Sequence, residues 1–139
     1  MSRYLSIELR RRVRDAFEGC CAYCKTAESL TVVTFEVEHI TPVSRDGQST
    51  FENLCLACPA CNRFKSDRTH GKLTDGTEVR LFHPQQDNWD DHFDWTVDGT
   101  VIVGLTERGK STVNLLRMNR SQVVSVRLLW VAAGRHPPN

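Results

Sequence analysis

Cys58-Pro59-Ala60-Cys61-Asn62-Arg63-Phe64-Lys65 is the stretch from which the rest of this sequence can be read. Its Cys-x-x-Cys has a twin upstream, Cys21-Ala22-Tyr23-Cys24. Two such knuckles far apart in a chain match a four-thiolate zinc site, each knuckle supplying two sulfur ligands to one tetrahedral ion. The six cysteines would suggest three disulfides in a secreted protein, but their arrangement in knuckles favours structural zinc. Cys20 and Cys55 are then left over and read as small buried hydrophobes. Exchange of ligand between Cys20 and Cys21 would need a less usual spacing.

Working outward, Pro59 suits the first turn of a helix because its missing N–H costs nothing there, and a helix is expected over 60–68. Upstream, Leu5, Leu9, Val13, Ala16 and Phe17 recur at helical spacing and Gly19 stands where a helix would stop, so residues 5–18 are expected to be an amphipathic helix with an arginine-rich outer face. The alternation of Val33, Phe35 and Val37 predicts a strand over 31–37, and Leu54 and Leu56 mark a short second strand. Pro42 and Asp46-Gly47 place a loop between them. Beyond the second knuckle, Gly71 to Gly76 is a turn-rich connection. A hairpin turning at Asp98-Gly99 is expected over 92–105, then helices over 106–118 and 121–133. The tail from His136 to Asn139 is expected to fray.

Between the knuckles stand Glu38-His39-Ile40-Thr41-Pro42 and Asn53-Leu54. Hydrolysis of a phosphodiester needs a base to deprotonate water and a cation to neutralise charge at the scissile phosphate. His39 suits the base, since an imidazole titrates near working pH. Glu38 and Asn62 offer hard oxygen donors of the kind that hold Mg²⁺ or Mn²⁺, and Asn53 is placed to orient the His39 ring. Each has a plainer reading: His39 as a satisfied structural histidine, Asn62 as a helix cap, Asn53 as the closure of a turn. Glu38 and His39 are neighbours, so on a regular strand they point to opposite faces and share one site only if the strand ends there.

Taken in order, Cys21-x-x-Cys24, Glu38-His39 with Pro42, Asn53-Leu54 and Cys58-x-x-Cys61-Asn62-x-x-Lys65 resemble the HNH endonuclease family, as found in small bacterial zinc-containing proteins. The resemblance implies an α+β fold with a ββα-metal (His-Me finger) core. It implies His39 as general base with Asn53 orienting it, Glu38 and Asn62 holding one divalent cation, and Cys21, Cys24, Cys58 and Cys61 holding zinc. DNA in duplex form is the implied partner. This sequence departs from the usual pattern in carrying Glu38 where Asp is commoner and Asn62 where the last histidine of the motif often stands. The nuclease core would cover 20–70. The rest, a hairpin and two helices over 80–134, resembles the C-terminal part of many small proteins of that type and is expected to pack on the core.

The 139 residues are enough for one compact domain, 1–139, with a modest core. No apolar run approaches the roughly 20 residues that span a bilayer, and Met1-Ser2-Arg3-Tyr4 lacks the apolar stretch of a signal peptide, so a cytoplasmic protein is expected. A net charge of +1 does not announce a polyanionic partner, but the distribution of charge is uneven. Arg63, Lys65 and Arg68 follow the second knuckle and are the expected nucleic-acid contacts, with Arg10, Arg11, Arg12 and Arg14 a weaker basic cluster. Asp87, Asp90, Asp91, Asp94 and Asp98 form an acidic block. His83 and His92 read as structural, and Trp89, Trp95 and Trp130 as anchors of the C-terminal half. The rival class is a non-catalytic zinc-bound module that binds DNA or protein. Cleavage of RNA or single strands, a protein partner and a homodimer all remain open.

Overall fold

The computed structural model describes residues 5–138; the Met1 to Tyr4 segment considered above as a leader lies outside them. Helix α1, Ile7–Ala16, starts where the Ser6 side chain accepts from Leu9 N at 3.1 Å. It ends as Glu18 and Gly19 turn to positive φ. Leu5 and Val13 are buried beneath it, with Leu9 and Phe17 at the edge, while Arg11 and Arg12 lie outside. Arg12 stacks over the Phe51 ring at 3.8 Å, and Arg14 bonds to both the Glu28 carboxylate and Phe35 O at 2.8 Å.

Strand β1 is shorter and later than the alternation of valines suggests: it covers Glu36–His39. Thr31 explains the difference, because its hydroxyl donates to Glu28 O and accepts from Val33 N, turning the backbone away from a ladder. The Glu28 carboxylate takes Phe35 N at 2.6 Å. Val32 is therefore wholly exposed, whereas Phe35 enters the core. Strand β2, Leu54–Ala57, pairs antiparallel with β1, with Glu38 opposite Cys55 and His39 opposite Leu54. Helix α2, Pro59–Lys65, follows directly and stops short of Arg68 because Ser66 adopts φ 52.

The connection after α2 contains a hairpin that the turn residues concealed: β3, His70–Lys72, pairs antiparallel with β4, Glu78–Arg80. Gly76 at φ 89 and the Asp75 side chain accepting from Thr77 N form its turn. One helical turn, α3 at Trp89–His92, precedes the expected hairpin of β5, Phe93–Trp95, and β6, Ile102–Gly104. Asp98 closes that turn by accepting from Thr100 N and Oγ1. Helix α4, Glu107–Leu115, packs on β3 and β6, and lies so close to the end of α3 that a Cβ on Gly109 would be 2.1 Å from His92 O.

Each strand pair is a separate two-stranded sheet. One apolar cluster joins the first and third, in which Cys21, Phe35 and Leu56 meet Phe82, Trp89, Phe93, Ile102, Leu116 and Met118, while the β3–β4 pair is held against α4. Trp89 Nε1 donates to Tyr23 O across the cluster at 2.8 Å. Among the described residues no helix is long and apolar enough to cross a membrane.

Helix α5, Ser121–Ala132, is apolar on most sides, with Leu128 and Leu129 in solvent, yet the residue it buries fully is Arg127. That guanidinium donates to Thr100 O, Met118 O and Asn119 Oδ1 and stacks over Trp95. The chain end is not frayed at His136, whose buried ring sits edge-on to Trp95 and Trp130. Arg127→Met should lower stability by about 3 kcal/mol, because two buried carbonyls lose their donor. Leu129→Ala should stay within about 0.5 kcal/mol. Urea unfolding checks both, and equal midpoints for the two variants would contradict the assignment of α5's anchor.

Candidate functional site

The two knuckles meet. Sulfur atoms of Cys21, Cys24, Cys58 and Cys61 all lie within 4.8 Å of one another. A tetrahedron with Zn–S bonds of about 2.3 Å has edges of ~3.8 Å, and Cys24 Sγ and Cys58 Sγ are 3.8 Å apart. None of the six cysteines is in a disulfide, and Cys55 is buried apart from the cluster while Cys20 is part exposed. Local backbone explains why these sulfurs converge. Lys25 takes φ 64 and its N–H reaches Cys21 O, tightening the first knuckle. Cys58 caps α2, and its sulfur accepts from Cys61 N at 3.4 Å. Cys24 Sγ lies 3.3 Å from the Thr26 hydroxyl. Burial holds the Cys21 thiol above its usual range, while hydrogen bonds from Cys21, Cys58 and Cys61 pull the Cys24 thiol below it. Four buried sulfurs at this spacing are compatible with structural zinc.

Next to this cluster, β1 ends at His39. Glu38, His39 and Asn62 all line one open depression of about 450 Å³, together with Pro42, Ser44, Ser66 and Asp67. Glu36 and Glu38 share the face of β1 turned to α2, and Asn62 and Lys65 share the facing side of α2. Asn62 Nδ2 donates to the Glu36 carboxylate in a short bond. Lys65 Nζ lies 3.2 Å from Glu38 Oε1, both groups buried, and also reaches His39 O. Burial pushes the Glu38 carboxyl up to about 7, partly offset by the Lys65 ammonium and reinforced by Glu36. Glu38 Oε2 is buried without a hydrogen-bond partner. An unpartnered carboxylate oxygen and an amide that line the same depression are hard donors of the kind that fit a Mg²⁺ or Mn²⁺ ion.

His39 Nε2 lies 2.9 Å from the Ser49 hydroxyl. Asn53 holds the loop that carries Ser49: Oδ1 accepts from Thr41 N, and Nδ2 donates to Thr41 O at 3.0 Å and Gln48 O at 2.8 Å. Gly47 is required in that loop, since a Cβ there would lie 1.8 Å from Thr41 O. The bonds of Asn53 thus go to the backbone around His39, with Ser49 supplying the ring contact. Arg63 and Arg68 are exposed. Lys65 differs: at 2% exposure its ammonium is turned inward to Glu38. Sequence reasoning missed Glu36, whose period-two relation to Glu38 was the available signal. It also missed Ser49, for which a loop of polar residues gives none.

No curated protein and no solved structure matches the chain. Over residues 21–68, which hold both knuckles, the Glu38–His39 strand end and α2, the chain matches the family model of the HNH endonucleases.

Proposed function

We propose that this chain is a metal-dependent endonuclease that hydrolyses DNA phosphodiester bonds, with residues 20–70 as a ββα-metal core and 80–134 as an extension packed on it. The observation that carries the reading is the convergence of Glu38, His39 and Asn62 on one open depression inside the stretch that matches the HNH endonuclease family. The shared apolar cluster supports treating 1–139 as one domain, which this reading places in the cytoplasm.

Duplex DNA is the substrate in this reading. His39 takes a proton from the water that attacks phosphorus, the P–O bond to the 3′ oxygen breaks, and that oxygen takes a proton from solvent while His39 later returns its own, so that the products carry a 5′ phosphate and a 3′ hydroxyl. Ser49 and the Asn53-clamped loop hold the imidazole where it can receive that proton. Glu38 and Asn62 would hold Mg²⁺ or Mn²⁺, which when bound supplies charge neutralisation at the scissile phosphate. Lys65 keeps Glu38 aimed and partly ionised, while Arg63 and Arg68 take flanking phosphates. One observation favours the rival, a zinc-bound binding module without catalysis: Glu38 is already engaged by Lys65.

His39→Ala should lower cleavage of supercoiled plasmid in Mg²⁺ or Mn²⁺ by about 10²- to 10⁴-fold and leave stability within about 1 kcal/mol. Cleavage at the wild-type rate would remove His39 from the mechanism; a wild type inactive with every metal, yet folded and zinc-loaded, would favour the binding module.

Purified protein should carry one zinc per chain by elemental analysis. Cys61→Ala should lose the metal and its cooperative unfolding, since structural zinc contributes on the order of 10 kcal/mol to such folds. Cys20→Ser should keep its zinc in full. Zinc loss in the Cys20 variant would show the ligand set to be misassigned.

A further inference from the structure

A second depression, of about 530 Å³, adjoins the one that holds His39. Its lining includes Arg45, Arg68, His70, Lys72, Glu78 and Asn114. The two depressions share a ridge. Ser44 faces the first and Arg45 the second; Asp67 faces the first and Arg68 the second. Arg45 Nε donates to Asp67 O at 2.7 Å, so the ridge is itself hydrogen-bonded. Beyond it, β3 and β4 supply the far wall and α4 supports it, with Asn114 Nδ2 donating to Lys72 O at 3.2 Å.

We propose that this depression seats the phosphate backbone of the DNA strand as it leaves the cleavage site, so that the β3–β4 hairpin is a nucleic-acid-binding wall. The inference rests on the nuclease reading above. Three permanent cations, Arg45, Arg68 and Lys72, face one carboxylate, Glu78, which stands directly across the ladder from Lys72. All four are exposed. None of Arg45, Arg68 and Lys72 has a carboxylate within salt-bridge distance among the described residues. Arg45 spends one of five donors on Asp67 O, and a guanidinium otherwise matches phosphate geometry. The lining includes no Phe, Tyr or Trp on which a base would stack. The wall therefore holds phosphate and sugar and adds affinity that is indifferent to sequence.

The test is DNA binding by the full chain in EDTA, which separates binding from cutting, read by fluorescence anisotropy across a salt series on two duplexes of unrelated sequence. Arg45→Ala/Lys72→Ala should weaken both equally, by about 10-fold or more, and reduce the salt slope by about 2, one unit per lost phosphate contact. Glu78→Gln should tighten binding to both. Arg135→Ala, an exposed charge lining neither depression, should leave the slope unchanged. Wild-type binding matched by the double variant, with an unaltered slope, would overturn the inference and leave the nuclease reading standing. A wild type that does not bind DNA at all would overturn both.

Discussion

Four sulfurs drawn to within 4.8 Å of each other set the positions of everything between them. Cys24 and Cys58 are separated by 34 residues, and that interval contains β1, the Asn53-clamped loop and β2. A single two-stranded hairpin is marginal by itself in water. Fixing both its ends at one point removes most of the freedom that would otherwise oppose its pairing. The same junction sets the angle of α2, because Cys58 is both a knuckle sulfur and the helix cap. Asn62 and Lys65 meet Glu36 and Glu38 because the knuckle starts α2 where it does.

The Glu38–Lys65 pair is the second constraint, and of a different kind. Burying two charges costs more than their attraction returns unless the geometry is good, so such a pair is weak support for stability taken alone. Its effect here is positional. It brings a carboxylate to the floor of an open depression that a free side chain would leave for solvent, with Oε2 still unsatisfied. Burial pushes this carboxyl up toward the neutral form, and a cation arriving there must displace a proton or share the carboxylate with an ammonium.

Much of this was legible from spacing, because spacing is what zinc knuckles and helices constrain. The convergence of Cys21, Cys24, Cys58 and Cys61, the hairpin at Asp98-Gly99 and helices α1, α4 and α5 all follow from local patterns that tertiary packing leaves intact. Two errors have a shared cause, side chains competing with the backbone ladder: Thr31 diverted the expected strand, and Asp75 with Thr77 built the β3–β4 turn inside what looked like a connection. The inward turn of Lys65 was not legible, since a lysine three residues past Asn62 serves equally as a phosphate contact or as the partner of a carboxylate on a facing strand. Only the meeting of α2 with β1 decides between them. His136 was misjudged because Trp95, from the distant strand β5, covers it together with Trp130 of the preceding helix.

The arginine anchor of α5 has a consequence for rotation. A helix apolar on one stripe knows which way to face, since turning it would expose that stripe. Val123, Val124, Val126, Leu128, Leu129, Trp130 and Val131 surround α5, so hydrophobic burial alone leaves several rotations about its axis nearly equivalent. Arg127 removes that degeneracy, because its donors must find Thr100 O and Met118 O, and only one angle about the axis and one height along it satisfy both. The cation acts as a key. It selects a single seating for a helix that grease would hold in many.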